Sequence, residues 1–322
     1  MLRLNYLRVN WVSLLKDPMA KIINMIWSSP HSLLVMASLM WAGHANVLKV
    51  SVGEISPMLL MGFRWIGCFI LLTLFLWVDV KKQIPSVNKR LPWVMIMGGI
   101  GMAGFTICLI VAAHSTSAIN LGITQSFIPA LVMLLGLIIL KNSISKAQGL
   151  GLVLSMLGAV ILVSKGSIQT LLSLTFNPGD LIMLIGCFCY AGYTLGLSKR
   201  IDMPPTVMFV FFSFFASLTL CIFIFIEFLN GDLVLPGLKG IIILIYCIIF
   251  PSILAQTFFM RGVELLGANR AGLYVNLVPV FTALIAIIFL SEYLFIFHVI
   301  SLLLVLSGIF ITERYKETPN KI

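Results

Sequence analysis

The sequence predicts an all-α polytopic membrane protein whose ten transmembrane helices form two inverted five-helix repeats. Of its 322 residues, 60% are hydrophobic and 10% are charged, and the mean hydropathy is +1.11. Soluble domains contain about 25% charged residues, so this composition excludes a water-soluble fold. The apolar residues form ten runs, each close to the roughly 20 residues that one helical crossing of the hydrocarbon core requires.

Short connections join the ten runs and leave no room for a soluble domain. Any function must therefore come from the membrane helices. The runs lie at 31–51, 57–78, 92–113, 117–140, 145–164, 180–198, 205–228, 237–260, 267–290 and 293–312. The predicted units are a cytoplasmic leader at 1–30, a first repeat at 31–164, a second repeat at 180–312 and a cytoplasmic tail at 313–322.

The repeat is visible in the fourth and ninth runs, which carry glycine and proline at the same spacing. Gly122 and Pro129 align with Gly272 and Pro279, and in the first run of each half MWAGHANVLK aligns with CYAGYTLGLS. A unit with five crossings must re-enter the membrane upside down, so the two halves are predicted to be inverted. Inverted repeats with broken helices are typical of secondary transporters, whose substrate site lies near the bilayer midplane.

The distribution of basic residues predicts the orientation in the membrane. Lys and Arg concentrate in the leader, the loops after even-numbered runs and the tail, whereas the other loops contain only Lys49, Lys165 and Lys239. Cytoplasmic loops retain basic residues, so both termini are predicted to be cytoplasmic. This bias accounts for the net charge of +10, and nucleic-acid binding is not expected. We expect a multi-pass protein of the cell membrane, specifically of a bacterial inner membrane.

Five stretches carry a resemblance to a known family. They are LMWAGHANVLK in the first run, Pro57 with Arg64 in the second, AINLGITQSFIPALVMLLGLIIL in the fourth, GDLIMLIGCFCYAGYT in the sixth and GANRAGLYVNLVPVFTALIAIIFLSE in the ninth. In their order and spacing, residues 31–312 resemble the EamA-type ten-helix carriers of the drug/metabolite transporter superfamily. The resemblance implies a basket-shaped bundle that exports amino acids or other small metabolites. It also implies a central cavity lined by runs one, three, four, six, eight and nine.

Polar and aromatic side chains inside the runs are candidates for substrate contacts, because a polar group in hydrocarbon is costly without a partner. Trp41 and His44 share a helix face, and Gln125 and Asn276 place an amide beside each repeat proline. The predicted substrate-binding residues are Trp41, His44, Asn46, Gln125, Tyr190, Tyr193, Gln256, Tyr274 and Asn276. The alternative for each is a structural role, as a buried imidazole, an interhelical hydrogen bond or aromatic packing.

Three prolines and one arginine are predicted to break helices or to act at a gate. Pro129, Pro251 and Pro279 each remove a backbone hydrogen bond inside a run. Arg64 lies inside the second run. It could snorkel outward, bind a substrate carboxylate or satisfy carbonyl groups at an outer gate, and we favour the last.

The eleven acidic residues all lie in the leader, the loops, the tail or at the ends of runs. A carboxylate proton relay is therefore not expected, which favours facilitated export or exchange down a gradient, with His44 as the mid-membrane group that could exchange a proton. No paired acids, Ser-His arrangement or metal-ligand spacing stands out in the runs, so we expect no enzyme, no metal site and no cofactor.

Two alternative functions remain open at this point. One is an exchanger of phosphorylated or nucleotide-linked sugars, and the other is a non-transporting membrane scaffold. The expected partners are a small-molecule substrate and the lipid bilayer, with the protein itself monomeric.

Overall fold

The computed structural model is a bundle of ten membrane-length helices, and it describes residues 25–141, 143–289 and 293–314. The helices are α1 Pro30–Ser51, α2 Pro57–Asn88, α3 Leu91–Ala113, α4 Ala118–Ile139, α5 Lys146–Val163, α6 Pro178–Lys199, α7 Pro205–Leu229, α8 Leu238–Leu266, α9 Ala268–Phe289 and α10 Ile296–Arg314. No β-strand occurs in the described ranges. The prediction of an all-α protein with ten spans is confirmed. Most of the predicted leader and tail lies outside the described residues.

Two helices extend well beyond the apolar runs that predict them. α2 continues past its lysines to Asn88, and α8 continues to Leu266. Hydropathy detects only the part of a helix that suits hydrocarbon, whereas these ends carry charged side chains. In α8 the additional turn is held by Glu264, which pairs with Arg261 at 2.7 Å and with Arg200 at 2.5 Å. The predicted ends at 78 and 260 were therefore too early.

α4 and α9 are interrupted just before their prolines. α4 breaks at Phe127, between the helical segments Ala118–Ser126 and Ile128–Ile139. α9 tightens to a 3₁₀ turn at Tyr274–Asn276 and resumes as Leu277–Phe289. Proline is tolerated in the first turn of a helix, where its missing N–H would have no partner in any case. Each proline therefore begins a new helical segment instead of kinking a continuous one.

α3 and α8 each contain a π-helical segment, at Ile96–Gly104 and Ile248–Leu254. In α8 this segment contains Pro251, and the Ser252 hydroxyl donates to the Cys247 carbonyl at 2.7 Å. The segment in α3 contains no proline, and its glycine-rich sequence did not predict it. α3 and α8 occupy the same place in the two halves, as do α4 and α9. The recurrence of both irregularities agrees with an internal repeat, and the inverted relation of the halves stays a prediction.

α5 and α10 cross at a contact between glycines. A Cβ atom added at Gly308 would meet the carbonyl oxygen of Gly151 and atoms of Ser155. Small residues at such crossings let membrane helices approach closely, which compensates for the absence of a hydrophobic driving force between helices in lipid.

Gly308→Ala is expected to lower the melting temperature of the detergent-solubilised protein, because the added methyl group overpacks this crossing by about 1–3 kcal/mol. Gly149→Ala is the matched control on the same helix pair, since a Cβ there meets nothing within 4 Å. Equal melting temperatures for the two variants would contradict the close crossing of α5 and α10.

Candidate functional site

A central cavity of about 1680 Å³ is lined by residues from both halves of the chain. Its wall includes residues from each of the loops that follow α1, α3, α5, α7 and α9. They are Gly53, His114, Lys165, Asp232 and Tyr293. No described residue in the loops after even-numbered helices lines it. The cavity therefore opens toward the face that carries the loops after odd-numbered helices, which we call the open face.

The inner end of the cavity is built from aromatic residues in the middle of their helices. Trp41 Nε1 donates to the Pro251 carbonyl at 3.0 Å, which joins α1 to the π-helical segment of α8. The Trp41 ring lies edge-on to Tyr190 at 6.2 Å and packs on Phe259 at 5.2 Å between centroids. Tyr190 lines the cavity, and its buried hydroxyl has no hydrogen-bond partner among the described residues. The described part of the protein therefore leaves the hydrogen-bonding capacity of this hydroxyl unused.

Three of the four predicted amides line the cavity, and they differ in how many hydrogen bonds they make to the protein. The Asn276 amide donates to Ser155 Oγ at 2.8 Å, and Gln256 Oε1 accepts from the Tyr193 hydroxyl at 3.5 Å. Both line the cavity, as does Gln125. The side chain of Gln125 makes no hydrogen bond to any described residue. Gln125 is therefore the amide most available to a ligand.

Three of the predicted substrate-binding residues lie outside the cavity lining. Asn46 is buried and donates to the Thr282 carbonyl at 3.2 Å, so it joins α1 to α9. Tyr193 is buried against α7, with its ring 6.1 Å from that of Phe212. Tyr274, the first residue of the 3₁₀ turn in α9, contacts His31 of α1 through its hydroxyl. All three hold helices together in this structure.

The three predicted helix-break prolines also differ in whether they line the cavity. Pro251 and Pro279 line the cavity, whereas Pro129 is buried outside its lining. The breaks in α4 and α9 place Ser126 and Asn276 on the cavity wall. Polar side chains therefore lie at both breaks on the cavity wall.

Arg64 and His44 form a polar pair on the cavity wall. Arg64 Nη1 donates to His44 Nε2 at 3.2 Å, and its guanidinium lies 4.3 Å from the centroid of the Trp65 ring. A guanidinium is only a donor, so Nε2 accepts and the imidazole proton lies on Nδ1. Arg64 is 6% exposed and makes no hydrogen bond to a carbonyl group among the described residues. In this structure it neither snorkels outward nor makes the carbonyl hydrogen bonds that we favoured, and its role at a gate stays a prediction.

Comparison with known proteins identifies the family. The model of the EamA-like transporter family matches residues 28–164 and 177–314. The chain belongs to the EamA-like transporter family. It is thus a multi-pass membrane transporter. The family model matches both halves of the EamA chain separately.

The similarity to known relatives covers most of the length of this chain. It is 27% identical over 280 residues to the uncharacterized transporter YyaM of Bacillus subtilis strain 168, covering 85% of this chain and 90% of YyaM. It is 27% identical over 292 residues to an uncharacterized transporter of Archaeoglobus fulgidus, covering 88% and 97%. A solved structure titled "Crystal structure of protein" has a TM-score of 0.72 at 20% identity, covering 88% and 96%. That likeness supports the fold alone.

Residues that the sequence did not single out also line the EamA cavity. Phe105 and Thr106 lie on α3, one of the helices that the resemblance implies for the cavity lining. Residues of α2, which the resemblance does not include, also line the cavity. Exposed Lys49 and Lys165 lie at the mouth of the cavity. Lys49 carries no sequence signal for this role, because a lysine at a helix end is equally suited to anchoring the helix at the membrane surface.

The opposite face of the EamA bundle is closed by ion pairs. This closed face comprises the loops after even-numbered helices, the start of α1 and the end of α10. Glu264 pairs with both Arg200 and Arg261, and Arg270 makes a two-point ion pair with Glu313. These side chains are 15% to 24% exposed. The ion pairs link the loop after α6 to α8, and α9 to α10, where the cavity does not reach.

The two ends of the described chain meet at the closed face. His31 at the start of α1 lies 3.7 Å from Glu313 near the end of α10, and its Nδ1 is 2.5 Å from the Tyr274 hydroxyl. Both ends of the described chain therefore lie on one side of the bundle, as ten crossings require. The assignment of that side to the cytoplasm stays a prediction.

Proposed function

We propose that this protein is a secondary transporter that moves small metabolites, such as amino acids, by alternating access. It acts as an exporter or facilitator in the cell membrane, which we predict to be a bacterial inner membrane with both termini in the cytoplasm. In this orientation the structure corresponds to an outward-open state. The cavity then receives or releases solute on the outer side.

One observation supports this proposal above the others: the cavity reaches the middle of the bundle from the open face and stops there. A transporter needs a site that is reachable from one side while the other side is closed, and sites near the midplane of broken helices are typical of secondary transporters. A scaffold would require neither a cavity nor a buried guanidinium on its wall. The two features together favour solute transport.

The direct test is flux through the purified protein reconstituted in liposomes. Labelled amino acids and other small metabolites are offered singly, and protein-free liposomes give the background. We expect saturable, protein-dependent flux for at least one chemical class, with net movement from high to low concentration. If no solute in the panel crosses faster than background, the transport function is wrong.

An imposed proton gradient is expected to leave the final distribution of a transported zwitterionic amino acid unchanged. Among the described lining residues, the only carboxylate is that of exposed Asp232 at the mouth, so no buried acid can carry a proton with the solute. Accumulation is measured with the gradient present and collapsed. Uphill accumulation that requires the gradient and disappears in His44→Gln would instead make His44 the coupling residue.

A further inference from the structure

We propose that the cavity recognises a carboxylate group of its substrate through the guanidinium of Arg64. This inference rests on the proposed transport function and assigns the chemical class of the group that the site selects. An amino acid meets the requirement with its carboxylate, and so does any small organic acid.

The first support is that Arg64 is a buried charge without a counter-ion. It is 6% exposed, and none of the ion pairs among the described residues includes it. The His44 ring accepts one hydrogen bond, and Nε has no partner. A buried charge is costly unless it is paired, and an arginine inside a membrane protein marks a functional site by default. A ligand anion would supply the missing partner.

The second support is the placement of Arg64 relative to the other charges of the cavity. The described lining contains four side chains with a formal charge: Lys49, Arg64, Lys165 and Asp232. Arg64 is the only buried one, while the other three are exposed near the mouth. The cavity is therefore net positive, with its one deep charge also positive. Such a field raises the local concentration of anions and disfavours cations.

The third support is the geometry of the groups that hold Arg64. The Trp65 ring and the His44 nitrogen fix one face and one edge of the planar guanidinium. A guanidinium presents paired donors that match the two oxygens of a carboxylate, and such charge-assisted pairs are the stronger hydrogen bonds of proteins. A single deep cation suits a monovalent carboxylate. A phosphate dianion would need further buried bases, which the described lining does not contain.

The test compares three probes with one carbon skeleton, namely 3-phenylpropanoate, 3-phenylpropanamide and 3-phenylpropan-1-amine. The aromatic body suits the rings of Trp41, Phe105 and Tyr190 in the wall. Binding to the detergent-solubilised full-length protein is measured by titrating the shift in melting temperature. We expect the acid to bind at least about tenfold more tightly than the amide, the gain that one charge-assisted hydrogen bond gives, and the amine not to bind.

Arg64→Gln is expected to remove the preference for the acid over the amide. Arg64→Lys keeps the charge without the planar fork, so it should retain a weaker preference, and it replaces the glutamine variant if that one does not fold. Lys82→Gln is the control on the same helix: it removes an exposed charge that does not line the cavity, and it should change acid affinity less than about twofold at physiological salt.

Equal binding of acid and amide to the native protein would overturn the inference. So would a preference for the acid that survives in Arg64→Gln, or the failure of 3-phenylpropanoate and of every straight-chain carboxylate from acetate to hexanoate to bind. Flux separates this inference from the proposed function. Acid-selective binding without flux of any acid in liposomes would refute transport alone, whereas flux of amines or amides that excludes acids would refute carboxylate recognition alone.

Discussion

Ala45→Trp is expected to abolish flux in liposomes while the protein stays folded and its cavity stays open. Ala45 lies in α1 beside His44 and lines the cavity. In alternating access the outer half of the cavity must close when the other face opens, and an indole on its wall would block that closure. If overpacking raises the free energy of the state with a closed outer half by about 3 kcal/mol, flux falls roughly 100-fold. Flux of a transported solute is compared at equal amounts of reconstituted protein.

Leu39→Trp is the matched control on the same helix, because Leu39 is 46% exposed on the outer surface of the bundle, where lipid would lie. It should retain flux near the native rate. Native flux in Ala45→Trp would mean that the outer half of the cavity does not need to close, which would contradict the alternating-access mechanism.

Glu313→Gln is expected to shift the protein toward the alternate state, in which the closed face of this structure is open. Glu313 makes the two-point ion pair with Arg270 and also lies near His31, so its charge links α9, α10 and α1. We expect these contacts to break when that face opens. If the ion pair stabilises this state by about 1–2 kcal/mol, its loss changes the ratio of the two states roughly 5- to 30-fold. This stabilisation is intermediate between that of an exposed and that of a fully buried ion pair, because the pair is partly exposed.

The population is reported by a cysteine at Gln125, labelled by a membrane-impermeant thiol reagent that enters from the open face. Its labelling should slow in the Glu313→Gln background. Glu54→Gln is the control, since Glu54 pairs with Lys239 at 2.9 Å near the open face and does not hold the closed face. Unchanged labelling in Glu313→Gln would show that the ion pairs do not maintain the closed state.

Hydropathy predicted the ten helices, because the length of an apolar run reports directly on the thickness of hydrocarbon it must cross. It could not predict where α2 and α8 end, because their last turns carry charged residues that leave the hydrocarbon. The repeat prolines predicted breaks in α4 and α9. The break at Phe127 precedes Pro129, because proline fits the start of a helical segment better than its interior.

The helical period predicted part of the candidate site. Trp41, His44, Ala45 and Leu48 follow one face of α1 and line the cavity. Asn46 is two residues after His44, about 200° around the helix, so it faces α9 instead. Polarity selects Asn46, whereas the period places it away from the face of Trp41 and His44, and its contact with substrate stays a prediction.

Other parts of the site depend on contacts that no local pattern contains. Tyr193 is one turn after Tyr190, yet it packs on Phe212 of α7 instead of lining the cavity. The pairing of Arg64 with His44 joins α2 to α1, and only the folded bundle shows that the guanidinium turns inward. The ion pairs of the closed face likewise involve charged residues, and from the sequence alone the basic ones indicate only the topology.

Alternating access, the central claim, is tested most directly by labelling two cysteines on opposite sides of the cavity floor. Gln125→Cys lies on the cavity wall, and Ser38→Cys lies in the closed half, where the Ser38 hydroxyl donates to the Tyr274 carbonyl at 2.8 Å. Each is placed in a background that lacks the six native cysteines, which are all free thiols.

Thiol labelling of the two variants is followed in liposomes with and without a transported solute, using a reagent that is present on both sides of the membrane. Without solute, position 125 should label rapidly and position 38 slowly. Saturating solute should slow labelling at 125 and accelerate it at 38, because the two positions become accessible in opposite states. If the two rates instead change in the same direction, or if position 38 never becomes reactive while flux proceeds, the cavity does not alternate between the two faces.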